Sequence, residues 1–200
     1  MTWRYEIRLG GTGGQGVILM GIILAEAAGL YEGRYVAQTQ SYGPEARGGS
    51  SKAEVVISDG EIDYPKAVKL DLLLALSQQA CDDFYQDLKP EGLVVVDATF
   101  VTQFPPVPTY GIPFTAIARE KLGREMVANI VALGALTQLT PMVSPRAMEM
   151  ALLGRVPAGT EQLNHAALQA GIAAARQAKK RGPTRSTSTE VPGDGLKGYY

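Results

Sequence analysis

The sequence contains a single cysteine, Cys81, and a single histidine, His165. A structural zinc site or an iron–sulfur cluster needs about four such ligands, so this chain alone supplies neither. One cysteine also excludes a disulfide framework. We interpret Cys81 as a small core residue and His165 as a surface or interface residue. We therefore predict no catalytic residue and no metal ligand in this chain.

Strong net charge and long hydrophobic runs are also lacking. The 200 residues include 19 Lys and Arg against 20 Asp and Glu, so no overall field favours nucleic acid as a partner. The longest apolar run, residues 17–30, contains Glu26 and two glycines and is shorter than the roughly 20 residues that span a bilayer. It predicts a buried helix and no membrane partner. The N-terminal MTWRYEIR lacks the pattern of a secretion signal, so we expect a cytoplasmic location.

The order of patterns along the chain predicts an α/β fold. Alternating apolar and charged residues over 4–9 predict a strand, and a glycine-rich turn then leads into a helix over 14–30. Further strands are predicted over 35–40, 52–58, 71–77, 92–98 and 109–112, a crossover helix over 79–88, and helical segments over 115–139, 145–153 and 161–180. We expect a doubly wound, mostly parallel sheet with helices on both faces (Rossmann-like), followed by C-terminal helices. The domain is predicted to span 1–180, with a flexible tail over 181–200.

The turn GGTGGQG, residues 10–16, packs five glycines between the first strand and the first helix. It fits G-x-G-x-x-G, in which close backbone approach and free helix amides attract anionic groups. A dinucleotide site also needs an acidic residue after the second strand, and none occurs over 34–41. A phosphate-binding P-loop needs Lys and Ser or Thr where Val17 and Ile18 stand. The alternative is a purely structural role, in which the glycines let the helix pack close to the sheet and to a neighbouring chain.

A second polar loop, QSYGPEARGGS over residues 40–50, follows the second predicted strand. In a doubly wound sheet it lies at the same carboxyl edge as the glycine turn, where ligands bind. Arg47 can present a planar fork to a phosphate or carboxylate, and Gly48 and Gly49 leave room for close contact. The alternative is a solvated connection in which Arg47 pairs with Glu45.

The two loops together are more specific than either one. GGTGGQG followed by QSYGPEARGG closely resembles the gamma subunit, or gamma domain, of 2-oxoacid:ferredoxin oxidoreductases. The resemblance extends over about residues 5–178 and includes MVANIVALGAL at 126–136. Chain length and the ALGAL segment resemble the 2-oxoglutarate type most, while pyruvate, branched-chain 2-oxoacid and indolepyruvate enzymes remain open. A stand-alone Rossmann-type nucleotide-binding module is the alternative from a different class.

The resemblance implies a function that composition cannot supply. Enzymes of this family oxidatively decarboxylate a 2-oxoacid with thiamine diphosphate and magnesium, transfer the acyl group to coenzyme A, and pass electrons through iron–sulfur clusters to ferredoxin. In separately encoded assemblies the thiamine site and the clusters lie on other subunits. We expect a non-autonomous subunit that binds no cofactor alone and assembles with alpha and beta subunits, with a ferredoxin-like delta subunit as a further candidate. The candidate residues for coenzyme A or for subunit contacts are Gly11, Thr12, Gly13, Gly14, Gln15, Gly16, Tyr42, Arg47, Gly48 and Gly49.

Overall fold

The computed structural model describes residues 3–42 and 49–184, and these contain one six-stranded sheet and six α-helices. The strands are β1 (Arg4–Thr12), β2 (Tyr35–Tyr42), β3 (Ser50–Ser58), β4 (Leu70–Ala75), β5 (Leu88–Asp97) and β6 (Thr109–Ile112). The helices are α1 (Val17–Leu30), α2 (Gln78–Phe84), α3 (Phe114–Leu122), α4 (Ala128–Leu139), α5 (Pro145–Leu153) and α6 (Glu161–Arg181). Over the described residues, no helix combines the length and apolar character needed to cross a membrane.

The sheet has the strand order β2-β3-β1-β4-β5-β6. The pairs β1–β4, β4–β5 and β5–β6 are parallel, whereas β3 runs antiparallel to both of its neighbours. From β1 the chain winds outward through α1 to β2 on one side, and later from β4 through α2 to β5 on the other. The prediction of a doubly wound, mostly parallel α/β sheet is therefore confirmed. The change of direction falls between β1 and β4, the position at which such sheets bind ligands.

Helices cover the two faces of the sheet unequally. Alternate residues such as Ile7 and Leu9 of β1 point into the larger core, which α1, α3, α4, α5 and α6 complete. The other face has a smaller core that includes Ala80 and Cys81 of α2. Residues from β1, β3, α4 and α5 surround α1, which explains why this helix is apolar on nearly every side. Leu30 at its C-terminal end remains 73% exposed.

The charged face of β1 is buried and forms a network of ion pairs. Arg8 is only 6% exposed; its Nε lies 2.9 Å from Glu54 of β3, and the same guanidinium contacts Asp87. Burial disfavours ionisation of Glu6, but hydrogen bonds from Arg4 and from two backbone amides outweigh it and lower the pKa of Glu6. The alternation that predicted this strand therefore separates an apolar core from a buried polar layer.

Several element boundaries differ by a few residues from the sequence-based expectation, among them the start of α1 at Val17, and two differences are larger. The crossover helix ends at Phe84, and Leu88 already belongs to β5, with a register irregularity where Leu70 pairs with it. Gly92 permits this packing, since a Cβ there would lie 2.5 Å from Leu88 Cγ. The helical segment over 115–139 is two helices, because Gly123 adopts φ 66° and ends α3.

The chain that follows α6 returns to the sheet. Thr184 makes an isolated antiparallel bridge with Thr109 of β6, with N–O distances of 2.8 and 3.0 Å. The first residues of the predicted tail thus contact the edge strand. Residues 185–200 lie outside the described part of the chain.

Candidate functional site

The glycine turn connects β1 directly to α1, as the sequence predicted. Gly14 and Gly16 have φ angles of 93° and 72°, a region that side chains with a Cβ rarely adopt. Gly16 is the N-cap of α1, and no side chain of the described residues caps the helix there. A Cβ on Gly10 would lie 2.9 Å from Ala80 Cβ, so that glycine allows α2 to pack against the end of β1. The structural interpretation of the glycines accounts for part of the motif.

Gln15 braces the turn from within. Its Oε1 accepts a hydrogen bond from the Thr12 amide at 2.7 Å, and its Nε2 donates to the Leu76 carbonyl at 3.1 Å. The side chain lies over Gly11, where a Cβ would come within 2.5 Å of Oε1. Because Leu76 follows β4, Gln15 links the ends of the two strands that flank the change of winding direction.

The structure brings the glycine turn and the described end of the second loop together. Thr12 pairs with Ser50 across the β1–β3 ladder, and the Gly13 amide donates to the Gly49 carbonyl at 2.9 Å. Tyr42, the last residue of β2, is 68% exposed and pairs with Ser51. Arg47 and Gly48 lie outside the described residues, so their part in the candidate site stays a prediction.

A cleft of about 440 Å³ opens beside the glycine turn at the carboxyl edge of the sheet. Its lining comes from the turn after β1, the ends of β4 and β5, and the starts of α3 and α4: Gly14, Gln15, Leu76, Asp97, Phe100, Thr115, Glu125, Met126, Ala128 and Asn129. Volume and position are those of a small-molecule site in an α/β fold. Only Gly14 and Gln15 of this set were among the predicted site residues.

Asp97 lies buried at the base of this cleft, with 1% of its surface exposed. Its carboxylate accepts hydrogen bonds from the Thr99 amide at 3.0 Å, from the Thr115 amide at 3.1 Å and from the Thr115 hydroxyl at 2.6 Å. These bonds hold the turn after β5 and the start of α3 together. Asp97 therefore caps the turn that follows β5 and satisfies an amide at the start of α3.

Sequence reasoning missed Asn129 as a residue of this cleft. It is 6% exposed and lies at the start of α4, against Gly16 of the glycine turn. A signal was present, because Asn129 is the one polar side chain among the first residues of the apolar segment MVANIVALGAL. Its proximity to a turn more than 110 residues earlier depends on the packing of α4 beside α1.

The two isolated reactive side chains lie outside the cleft lining. Cys81 is fully buried, and burial, followed by the charge of Asp82, raises the pKa of its thiol to about 12. His165 Nε2 lies 3.0 Å from Glu149 in a partly exposed pair between α6 and α5. Neither environment is that of an activated nucleophile or a general base. Over the described residues, no group of three or more His, Cys, Asp or Glu side chains could hold a metal ion.

The fold is an α/β layer structure with a cleft at the carboxyl edge of its sheet, and comparison with known proteins identifies its family. The family model described as pyruvate ferredoxin/flavodoxin oxidoreductase matches residues 6–174. The chain belongs to this family and is of the gamma-subunit type, so the resemblance that the two loops indicated is confirmed. It is a subunit of an oxidoreductase complex.

Individual relatives agree with this assignment. The chain is 54% identical to 2-oxoglutarate synthase subunit KorC of Methanocaldococcus jannaschii, with 87% of this chain and 95% of the relative aligned. It is 49% identical to the gamma subunit of a keto/oxoacid ferredoxin oxidoreductase from Geobacter sulfurreducens, with a TM-score of 0.80 over 88% of this chain and 98% of that one. It also matches a 2-oxoglutarate:ferredoxin oxidoreductase from Magnetococcus marinus at 25% identity and TM-score 0.76, over 87% of this chain and 31% of that one.

Proposed function

We propose that the chain is the gamma subunit of an enzyme that converts 2-oxoglutarate and coenzyme A to succinyl-CoA and CO2, with two electrons passed to ferredoxin. The gradient of identity among relatives is the observation that carries the choice of substrate. Identity is 54%, 52% and 52% to three proteins named 2-oxoglutarate synthase subunit KorC and 41% to a fourth, against 40% to a ketoisovalerate oxidoreductase subunit and 36% to a pyruvate synthase subunit. Pyruvate and branched-chain 2-oxoacids are therefore the alternative substrates, with indolepyruvate as a further one.

In this proposal the chain contributes assembly and coenzyme A binding, and the redox chemistry belongs to its partners. Thiamine diphosphate with magnesium supplies decarboxylation and iron–sulfur clusters supply electron transfer in the complete enzyme. The side chains of this subunit do not suit a cluster, since its one cysteine is buried with its thiol held protonated. The partners are the alpha and beta subunits, a ferredoxin-like delta subunit in assemblies that contain one, and ferredoxin itself, in the cytoplasm.

The edge formed by the glycine turn and the second loop is the part of the chain that we assign to coenzyme A. Three features support the assignment: the start of α1, which no side chain in the described part of the chain caps, the positive φ angles of Gly14 and Gly16, and the adjoining cleft. Contact of the same edge with a sister subunit is the alternative role. Arg47→Ala should raise the apparent KM for coenzyme A, since a guanidinium is a strong phosphate partner. Arg146→Ala, at an exposed position, is the control and should leave this KM unchanged. If Arg47→Ala gave the same KM as the control, Arg47 would not be part of the coenzyme A site.

A stand-alone nucleotide-binding module is the other candidate function. The Gln15 side chain already covers Gly11 in the turn, and β2 ends in the uncharged residues Thr39–Tyr42 where a ribose-binding acid would stand. Both observations disfavour a dinucleotide.

Purification from the native cell extract tests the proposal. We expect the chain to elute with subunits that carry thiamine diphosphate and iron–sulfur clusters, and the pooled complex to reduce ferredoxin only when 2-oxoglutarate and coenzyme A are both present. A lone monomer that binds NAD or ATP would overturn the subunit assignment. A higher kcat/KM with pyruvate than with 2-oxoglutarate would overturn the choice of substrate alone.

A further inference from the structure

We propose that the edge strand β2 pairs with β2 of a second copy of this chain, so that two sheets join into one across a two-fold axis. The two strands run antiparallel, and the α1 helices of both copies lie on the same face of the joined sheet. This goes beyond the proposed function, because it assigns a contact between two gamma subunits whichever 2-oxoacid the enzyme uses.

The two edges of the sheet are protected to different degrees. At one edge β6 has four residues, Pro113 follows it, and Thr184 makes a backbone bridge to it. At the other edge β2 has eight residues, Tyr35–Tyr42, in an unbroken register with β3 and without a proline or a charged side chain. Among the described strands only β3 pairs with it. Monomeric proteins usually block such a long, regular and uncharged edge, because its free backbone groups are a template for another strand.

Apolar side chains accompany this edge. The residues of α1 that are not fully buried share one side of the helix, and apart from Glu26 they are Ile18, Leu19, Ile22, Ala25, Gly29 and Leu30. This side adjoins β2, since a Cβ on Gly29 would lie 3.5 Å from Val36 Cγ2. Glu26 already pairs with Arg155, with Nε 2.8 Å from a carboxylate oxygen. No unpaired charge of α1 therefore opposes contact with a second apolar surface.

The sequence of β2 is complementary to itself in one register. In an antiparallel pair related by a two-fold axis perpendicular to the sheet, opposed side chains share a face, so one residue lies on the axis. With Thr39 on the axis, Val36 lies opposite Tyr42 of the second copy. Both are on the α1 face of the sheet, which follows from the contact of Val36 with α1 and from the alternation along the strand. The ring of Tyr42, 68% exposed in the single chain, is then covered by an apolar side chain.

Gln38 has hydrogen-bonding capacity that this register uses. Within the described chain its Nε2 reaches the Thr39 carbonyl at 3.4 Å and Gln40 Oε1 at 3.5 Å, both at the long limit for a hydrogen bond. With Thr39 on the axis, Gln38 lies opposite Gln40 of the second copy, and two carboxamides can donate to and accept from each other. The symmetry repeats this pair on the other side of the axis. A second copy thus supplies at each position the side chain that the strand lacks.

The full-length chain should be a dimer in solution. Light scattering after size exclusion should give twice the mass of the 21.3 kDa chain. Gln38→Lys combined with Gln40→Lys sets lysines opposite each other at two symmetry-related positions, so this variant should be a monomer. Gln79→Lys combined with Gln103→Lys adds the same charge at exposed glutamines outside β2 and should remain a dimer. A monomeric unaltered chain, or equal masses for the two double variants, would overturn the proposal.

Cross-linking in the assembled enzyme locates the axis. Thr39→Cys sets two thiols opposite each other, with Cα atoms about 4.5–5.5 Å apart and within the range of a disulfide. Mild oxidation should therefore give a gamma–gamma band at twice 21.3 kDa. Gln40→Cys on the same strand is the matched control, because its counterpart lies diagonally at about 7–8 Å, and its yield should be about tenfold lower or less. Cys81 is buried in both variants.

Other occupants of the edge give different results in the same experiment. A cross-link from Thr39→Cys to a different subunit would assign the edge to that subunit. A gamma–gamma band that appears only after removal of residues 185–200 would assign it to the C-terminal segment of the chain. Either result overturns the proposal, and so does equal cross-linking of the two cysteine variants. An enzyme that still oxidises 2-oxoglutarate with coenzyme A under these outcomes leaves the proposed function standing.

Discussion

Gln15 donates from Nε2 to the carbonyl of Leu76 over 3.1 Å and so joins the turn after β1 to the end of β4. The same side chain accepts from the Thr12 amide at 2.7 Å. Gln15 belongs to the G-x-G-x-x-G pattern, and its side chain lies at the crevice where proteins with this pattern bind a dinucleotide. In the sequence, the lack of an acidic residue after the second strand already argued against a dinucleotide site. The contacts of Gln15 add a geometric argument against such a site.

Gln15→Ala should destabilise the protein by about 1–2 kcal/mol. The substitution leaves the Thr12 amide and the Leu76 carbonyl without their partners in a partly buried position. Denaturant unfolding at constant m-value measures the change. Gln103→Ala, which shortens an exposed glutamine, should change stability by less than about 0.5 kcal/mol. Equal midpoints for the two variants would contradict the role of Gln15 as a brace.

Arg8→Ala should cost about 3–5 kcal/mol, because it leaves the buried Glu54 carboxylate without its closest cationic partner. Arg119→Ala is the matched comparison, since its ion pair with Glu125 is more than half exposed. It should cost less than about 1 kcal/mol. Thermal or chemical unfolding of both variants measures the two losses of stability. A similar small loss in each variant would show that the buried polar layer of β1 contributes little to the stability of the fold.

Gly134→Ala should prevent the close contact of α4 with α6. A Cβ on Gly134 would lie 2.1 Å from the Leu168 carbonyl oxygen, and one on Gly171 would lie 1.9 Å from that of Val131. The helices would have to move apart, at a cost of at least about 2 kcal/mol. Gly29→Ala in α1 is the control, since its new Cβ would meet atoms no closer than 3.5 Å. It should be neutral or stabilise by up to about 1 kcal/mol. The opposite ranking in unfolding experiments would contradict the prediction.

We expect the buried thiol of Cys81 to lower the free energy of unfolding at alkaline pH. Burial raises the pKa of its thiol to about 12, whereas the thiol of an unfolded cysteine has a pKa of about 8.5. Between these values the unfolded state has released the proton and the folded state retains it, so stability falls as pH rises, by up to about 1.4 kcal/mol per pH unit. Tyr5, whose pKa burial also raises to about 12, adds to the fall above about pH 10.

The pH dependence can be assigned by comparing the unaltered protein with Cys81→Ala. Between about pH 8.5 and 10, which is below the range in which Tyr5 titrates, the free energy of unfolding should fall less steeply with pH in the variant than in the unaltered protein. At neutral pH a thiol reagent should modify Cys81 only after unfolding. Identical slopes in the two proteins, or rapid modification of the folded chain, would show that the thiol is not held protonated by burial.

Local patterns in the sequence were sufficient for most of the elements. The strand, glycine turn and helix at the N-terminus occur in the predicted order, and Pro145–Leu153 has the predicted bounds because Ser144 caps the helix and a proline begins it. The family, too, was recognisable from the two loops. These features depend on neighbouring residues, whose spacing the sequence shows directly.

Other features depend on contacts between distant segments. The antiparallel direction of β3, the burial of Arg8, and the position of Asn129 beside Gly16 follow from the way the sheet and α4 assemble. Hydrophobic periodicity shows which side of a helix or strand is buried. It does not identify the other element that packs against that side. The sequence alone therefore determined the α/β class, the glycine turn and the family. The tertiary structure decided that Gln15 links the turn to the end of β4 and that the turn adjoins a cleft, because the contacts of Gln15 with Leu76 and of Gly16 with Asn129 join residues 61 and 113 positions apart.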